Sequence, residues 1–229
     1  MEKSTGQSET RIIASTNVFQ IEKIEKIGKA DYPKLIEISL HLAKEYGKQA
    51  VFTKASIEKY FNTEKSLPFI ARYQNEIIGY IIGIPLEELT MEPWALNDEN
   101  YGKHNTLYTY AFVIMEKYKS NGYAKMLKRV YLSWAQKRDR IRYITGHVSS
   151  GTADTKDSSI KIISFEENWQ GTGKSFEYYR RSFDEGVESS IFSPPFEIIV
   201  EKFKKILNVT LTSHFYDVKF TLHFNKKRK

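Results

Sequence analysis

The chain has 229 residues, a formal net charge of +7 at pH 7 and no cysteine, so disulfides, thiolate nucleophiles and cysteine-based metal sites are excluded. Its 41% hydrophobic and 14% aromatic residues are those of a folded globular protein with room for one good core. No apolar run reaches the ~20 residues of a membrane-spanning helix. Residues 1–17 also lack the apolar centre of a signal peptide, so a cytoplasmic location without a membrane partner is expected. The basic balance suits an anionic ligand, an acidic partner or nucleic acid, and does not choose among them.

Residues 1–16 are rich in Ser, Thr and Glu and read as a disordered tail. Phe19, Ile21, Ile24 and Ile27 mark a first strand. Asp31 is placed to cap a helix, with Pro33 in its first turn and Leu35, Ile38, Leu42 and Tyr46 on one face. Thr53 opens a second helix with the stripe Ile57, Tyr60 and Phe61. Two strands, 68–73 and 77–85, flank the polar turn 74–76 as a hairpin. Residues 87–103 carry Pro93 and Gly102 and read as a loop, in which Trp94 and Tyr101 either line a site or, by preference, pack down.

The aromatic and β-branched run 107–115 reads as a buried strand. Ala124, Leu127, Val130, Tyr131 and Trp134 then repeat with helical period. Between strand and helix lies Lys119-Ser120-Asn121-Gly122-Tyr123-Ala124. Ser120 and Asn121 are capping residues, and Gly122 lets the backbone approach a ligand closely. A helix start of this kind presents unpaired N–H groups and a positive dipole end, which suits a pyrophosphate. A further strand is expected at 141–148, a polar loop at 149–159 and another strand at 160–165. Ser193 and Pro194 look like the start of a helix. Strands at 209–215 and 218–224 flank Tyr216-Asp217 as a terminal hairpin that completes the sheet or joins a partner's, and 225–229 is a solvated basic tail.

The segment around Lys119, Gly122 and Ala124 resembles the Q/R-x-x-G-x-G/A motif of the GNAT superfamily of acyl-CoA-dependent N-acyltransferases, with Lys119 in place of the usual Gln or Arg. The resemblance spans residues 19–183. It implies an α+β fold, a twisted, mixed but mostly antiparallel sheet with helices on both faces, with the strands around 107–115 and 141–148 parallel and splayed. The domain would cover 17–186, and 187–229 would add a helix and hairpin to it.

The resemblance also implies the chemistry: an acetyl group passes directly from acetyl-CoA to a primary amine, with no metal. The pantetheine would pair with the backbone of Phe112, Val113 and Ile114. The pyrophosphate would sit on Lys119, Ser120, Asn121, Gly122, Tyr123 and Ala124, with Lys125 in the same turn. Tyr178, five residues before Phe183, matches the Tyr near the end of the family's fourth helix and would protonate the leaving thiolate; Tyr179 beside it is the alternative. The family's strand Glu is replaced by Tyr108, which leaves Glu116, Glu87, Glu88, His104 and His147 as candidate bases. Gly171-Thr172-Gly173-Lys174-Ser175 ends like a phosphate-binding loop but lacks its first glycine, where Asn168 stands, so nucleotide hydrolysis is not expected. The competing reading is a non-catalytic GNAT-fold module that binds CoA or a partner. Nucleic acid is not the expected partner, and a homodimer is left open.

Overall fold

A computed structural model of the protein describes residues 6–153 and 156–183, and the backbone of two short strands beyond them. In chain order the elements are β1 (Glu9–Ser15), β2 (Phe19–Lys26), α1 (Tyr32–Tyr46), α2 (Lys54–Asn62), β3 (Leu67–Tyr73) and β4 (Glu76–Pro85). There follow the short α3 (Pro93–Leu96), β5 (Thr106–Ile114), α4 (Tyr123–Gln136), β6 (Tyr143–Ser149), β7 (Ile160–Glu166) and β8 (Phe176–Ser182). The last two are β9 (Val209–Thr210) and β10 (His223–Phe224).

Local chemistry explains several boundaries. Thr53 Oγ1 accepts from Ser56 N while Ser56 Oγ accepts from Thr53 N, a reciprocal cap on α2. Gln74 and Asn75 both adopt positive φ, the backbone of a tight turn that matches strand twist between β3 and β4. Asp31 does stand before α1, but its carboxylate makes no capping bond and accepts from Ser8 Oγ instead.

The strands form one eight-stranded sheet in the order β1-β2-β3-β4-β5-β6-β8-β7. Every neighbouring pair is antiparallel except β5 and β6, which run parallel because α4 makes the crossover between them. The pleat sends alternate residues to opposite faces. Ile70, Tyr80 and Ile82 meet Leu35, Ile38, Ile57 and Phe61 of α1 and α2. Phe69, Ile81 and Leu107 meet Leu127, Tyr131 and Ala135 of α4. The central strands of the sheet are therefore buried on both faces, with helices on each, as the resemblance implied.

Two expectations are corrected. Residues 9–15, within the supposed disordered tail, form β1: the segment pairs along the β2 edge, Ile13 and Ala14 pack on the α4 core, and Arg11 lies 4.7 Å from the Trp134 ring centroid. A polar composition hid one apolar side of a strand. The segment holding Tyr178 is not the end of a helix but β8, hydrogen-bonded to β6 on one side and β7 on the other. Phe176, Tyr178 and Arg180 are buried on one face, and this aromatic-rich run fills two sheet edges that a helix would leave unpaired. The expected terminal hairpin is borne out at its ends, Val209 opposite Phe224 and Thr210 opposite His223. The turn at Tyr216-Asp217 and the helix from Ser193 lie outside the described residues.

Candidate active site

β5 and β6 pair only from Thr106–Tyr108 to Tyr143–Thr145 and then separate. The separation starts at an irregularity: Ile82 of β4 faces Ala111 of β5, but Gly83 faces Thr109, so Tyr110 is an extra residue. Such a bulge bends a strand and sharpens its twist. Beyond it the β4-facing edge of β5 stays paired to Ile114, while the other edge has no strand partner among the described residues. Phe112 is half-buried, and Val113 and Ile114 are buried.

A cavity of about 290 Å³ opens where the strands part. On the α1 side its wall includes Tyr46, Trp94, Tyr108, Tyr110, His147 and Trp169; on the α4 side it includes Thr109, Phe112, Tyr131 and Tyr179. Gly146 also lines it, and a Cβ there would lie 3.1 Å from the Tyr179 ring, so that ring packs closely over the backbone.

At the end of β5 the chain turns through Ser120, at φ 65°, and Gly122, at φ 78°, into α4. Neither Ser120 nor Asn121 caps the helix. The cap position is Gly122 itself, without a side-chain bond, and the Asn121 amide donates to the carbonyls of Tyr118 and Lys119. A Cβ on Gly122 would meet nothing within 4 Å, so the space before the first-turn amides of α4 is clear. Lys119 and Lys125 are exposed beside it. The Tyr123 ring is engaged elsewhere, stacked on Phe19 at 4.3 Å, and Ala124 is half-buried against the core.

His147 is the most unusual group in the cavity wall. It is 6% exposed, its Nδ1 lies 3.0 Å from the Tyr108 hydroxyl, and its Nε2 is buried without a hydrogen-bond partner among the described residues. Aromatic rings enclose it: Trp169 at 4.1 Å, Trp94 at 4.6 Å and Tyr178, stacked, at 4.8 Å. Burial pushes its pKa down to about 3, so the imidazole is uncharged at neutral pH.

The other candidates are committed differently. The Tyr178 hydroxyl donates to Asp98 at 2.7 Å, and burial first, then the carboxylate, push its pKa up. Asp98 also accepts from Arg180, at 2.9 Å, and from the Asn100 N–H. Glu116 is exposed and paired with Lys119 at 2.7 Å, which holds its carboxyl below the usual range; it does not line the cavity. Glu87 accepts from the N–H groups of Gly102 and His104 and so shapes a loop. Lys174 donates to the Lys44 carbonyl at the end of α1, which takes the apparent phosphate loop out of use. Trp94 both packs on Tyr108 and lines the cavity, whereas Tyr101 only packs.

The sequence model described as the acetyltransferase (GNAT) family matches residues 30–154, more than half of the chain. The chain belongs to the GNAT acetyltransferase family. It is accordingly an acyltransferase. No curated protein sequence matches it. Among solved structures, the fold is similar to the ribosomal-protein-S18-alanine N-acetyltransferase of Escherichia coli, with TM-score 0.52 and 10% identity over 75% of this chain and 98% of that one. It is similar also to an acetyltransferase of the GNAT family from Streptococcus pneumoniae, with TM-score 0.53 and 15% identity over 72% and 99% of the two chains. A third is a ribosomal L7/L12 alpha-N-protein acetyltransferase in complex with coenzyme A, with TM-score 0.50 and 12% identity over 76% and 99%. At these identities the likeness carries the fold alone. The bulged β5 borders the cavity, and the turn that follows it leads to the bare start of α4.

Proposed function

We propose that the protein moves an acetyl group from acetyl-CoA directly to a primary amine. The observation that carries this is the gap between β5 and β6, which leaves an edge of β5 unpaired among the described residues beside an aromatic-lined cavity, while the strand runs on toward the uncapped start of α4. The extended pantetheine amides would complete the sheet at Phe112, Val113 and Ile114, where backbone groups lack a strand partner. The pyrophosphate would rest on the amides of Gly122, Tyr123, Ala124 and Lys125, where dipole and unpaired N–H groups favour an anion. Ser120 and Asn121 shape that turn, and Lys119 and Lys125 add positive charge. The acetyl group would then reach the cavity, and the amine would enter from the α1 side.

Tyr178 and Glu116 take no part in proton transfer in this reading. A phenol held by a buried carboxylate is a poor donor to a thiolate, and a paired surface carboxylate away from the cavity reaches no substrate. The test is release of free thiol from acetyl-CoA in the presence of a panel of primary amines, with the acetylated amine identified by mass. Amine-dependent thiol release is expected. Binding of acetyl-CoA without turnover on any amine, with or without a gel shift on nucleic acid, would support a non-catalytic module.

A further inference from the structure

The cavity contains one buried side chain with a free nitrogen. His147 sits on β6 opposite Tyr178 of β8, so both side chains lie on the α1 face, and His147 lines the cavity at the gap left by β5. The Tyr108 hydroxyl fixes one end of the ring, and the Nε2 end, at 6% exposure of the residue, has no hydrogen-bond partner among the described residues. An orphaned buried nitrogen costs stability unless something uses it. His147 lines the cavity that the acetyl group and amine would share.

We propose that His147 is a catalytic residue whose Nε2 carries the amine proton to the departing sulfur, a role that rests on the acetyl-transfer reading above. The amine nitrogen attacks the thioester carbonyl carbon, and the carbonyl electron pair moves to oxygen. The proton on the new N–C adduct passes to Nε2. Collapse restores the carbonyl, breaks the C–S bond, and the sulfur takes the same proton back from Nε2. The products are an amide and free CoA thiol, and the imidazole ends neutral, so no other reactant is needed.

Each feature of the pocket serves this cycle. The role requires the tautomer in which Nδ1–H donates to the Tyr108 oxygen, which leaves the Nε2 lone pair for the incoming proton; Tyr108 is thus a positioning residue. Burial makes the imidazolium a reluctant resting state, so it returns the proton to a thiolate readily. The rings of Trp94, Trp169 and Tyr178 support the charge while it lasts, since cations are attracted to aromatic faces. The titratable groups around it are the phenols of Tyr108 on β5, Tyr178 on β8 and Tyr46 on α1, whose hydroxyl donates to the His147 carbonyl. Glu92 lies on the cavity wall and accepts from Trp94 Nε1. Asp98 and Arg180 stand behind Tyr178, paired with each other.

Long-range proton–nitrogen NMR on the wild-type protein reads the tautomer directly. The expected result is Nδ1–H with a bare Nε2 at neutral pH; a proton on Nε2 overturns the proposal. In parallel, His147→Gln is expected to lower kcat by ~10²-fold or more with the acetyl-CoA Kd nearly unchanged. Tyr108→Phe is expected to lower kcat by up to about tenfold, as one hydrogen bond to the ring is lost. A folded His147→Gln with near-wild-type kcat overturns the role of His147 alone, whereas wild-type protein that never releases thiol overturns the acetyl-transfer reading with it. Should His147→Gln not fold, the tautomer and Tyr108→Phe decide.

Discussion

Gly122 and His147 illustrate how single residues acquire a role from their surroundings. At Gly122 the φ of 78° costs a non-glycine residue roughly 1–2 kcal/mol, so Gly122→Ala is expected to weaken the start of α4. Gly122→Glu adds a carboxylate in the clear space before the amides, and calorimetry is expected to show acetyl-CoA binding lost while the fold survives. For Tyr178→Phe the ring stays and only the bond to Asp98 is lost. Unfolding titrations should show a loss of about 1–3 kcal/mol, while kcat changes little; a large fall in kcat at unchanged stability would return the acid role to Tyr178. His147 also links stability to pH. Its folded pKa lies near 3, below the ~6.5 of an unfolded imidazole, so between those values the unfolded chain binds the extra proton. Stability contributed by this group is full above ~6.5 and is lost as pH falls, by at most about 1.4 kcal/mol per pH unit. Denaturation midpoints taken from neutral pH downward should fall less steeply in His147→Gln than in wild type.

At the scale of elements, the segment between β4 and β5 buries Leu89 and Ala95 in the core and is tied to β8 by charge. Asp98 is fully buried, and Arg180, 9% exposed at its side chain, pairs with both Asp98 and Glu99. Removing the cation leaves a buried carboxylate uncompensated, which typically costs about 3–5 kcal/mol. Arg180→Ala is therefore expected to destabilise the protein by that order and to loosen the segment that carries Trp94. Hydrogen exchange should show the loss of protection concentrated in residues 92–105, with α4 unaffected. The double change Asp98→Asn with Arg180→Met should recover most of the stability, because no charge is then stranded. Uniform loss of protection across the sheet in Arg180→Ala would show that the ion pair does not act locally.

Over the whole molecule, a formal charge of +7 and the basic residues near the start of α4 make binding of a polyphosphate sensitive to salt. The acetyl-CoA Kd is expected to rise steadily once ionic strength passes ~0.1 M, where screening acts within about 10 Å. Pantetheine lacking the nucleotide should bind weakly and show almost no such dependence. Equal salt sensitivity of the two ligands would place the charge contribution somewhere other than the phosphate end.

Periodicity in the sequence was enough for α1, α2, the β3–β4 hairpin and the β5–α4–β6 unit, because each buries a continuous apolar stripe whose spacing is written locally. The crossover through α4 dictated that β5 and β6 run parallel, and the glycine at the helix start pointed to an anion. What local pattern could not decide was which edges needed filling. Residues 9–15 became a strand because β2 had a free edge, and 176–182 because β6 and β7 did, although the family resemblance implied a helix there. The same holds for chemistry. Tyr178, favoured by its spacing, is spoken for by Asp98, a partner 80 positions away. His147 was one of several candidate bases in the sequence. Only the packing of β6 against β8, the departure of β5 at Tyr110 and the packing of Trp94 and Trp169 on its ring made it a neutral imidazole with one nitrogen unclaimed among the described residues, since burial and hydrogen bonding depend on residues that meet only in the folded chain.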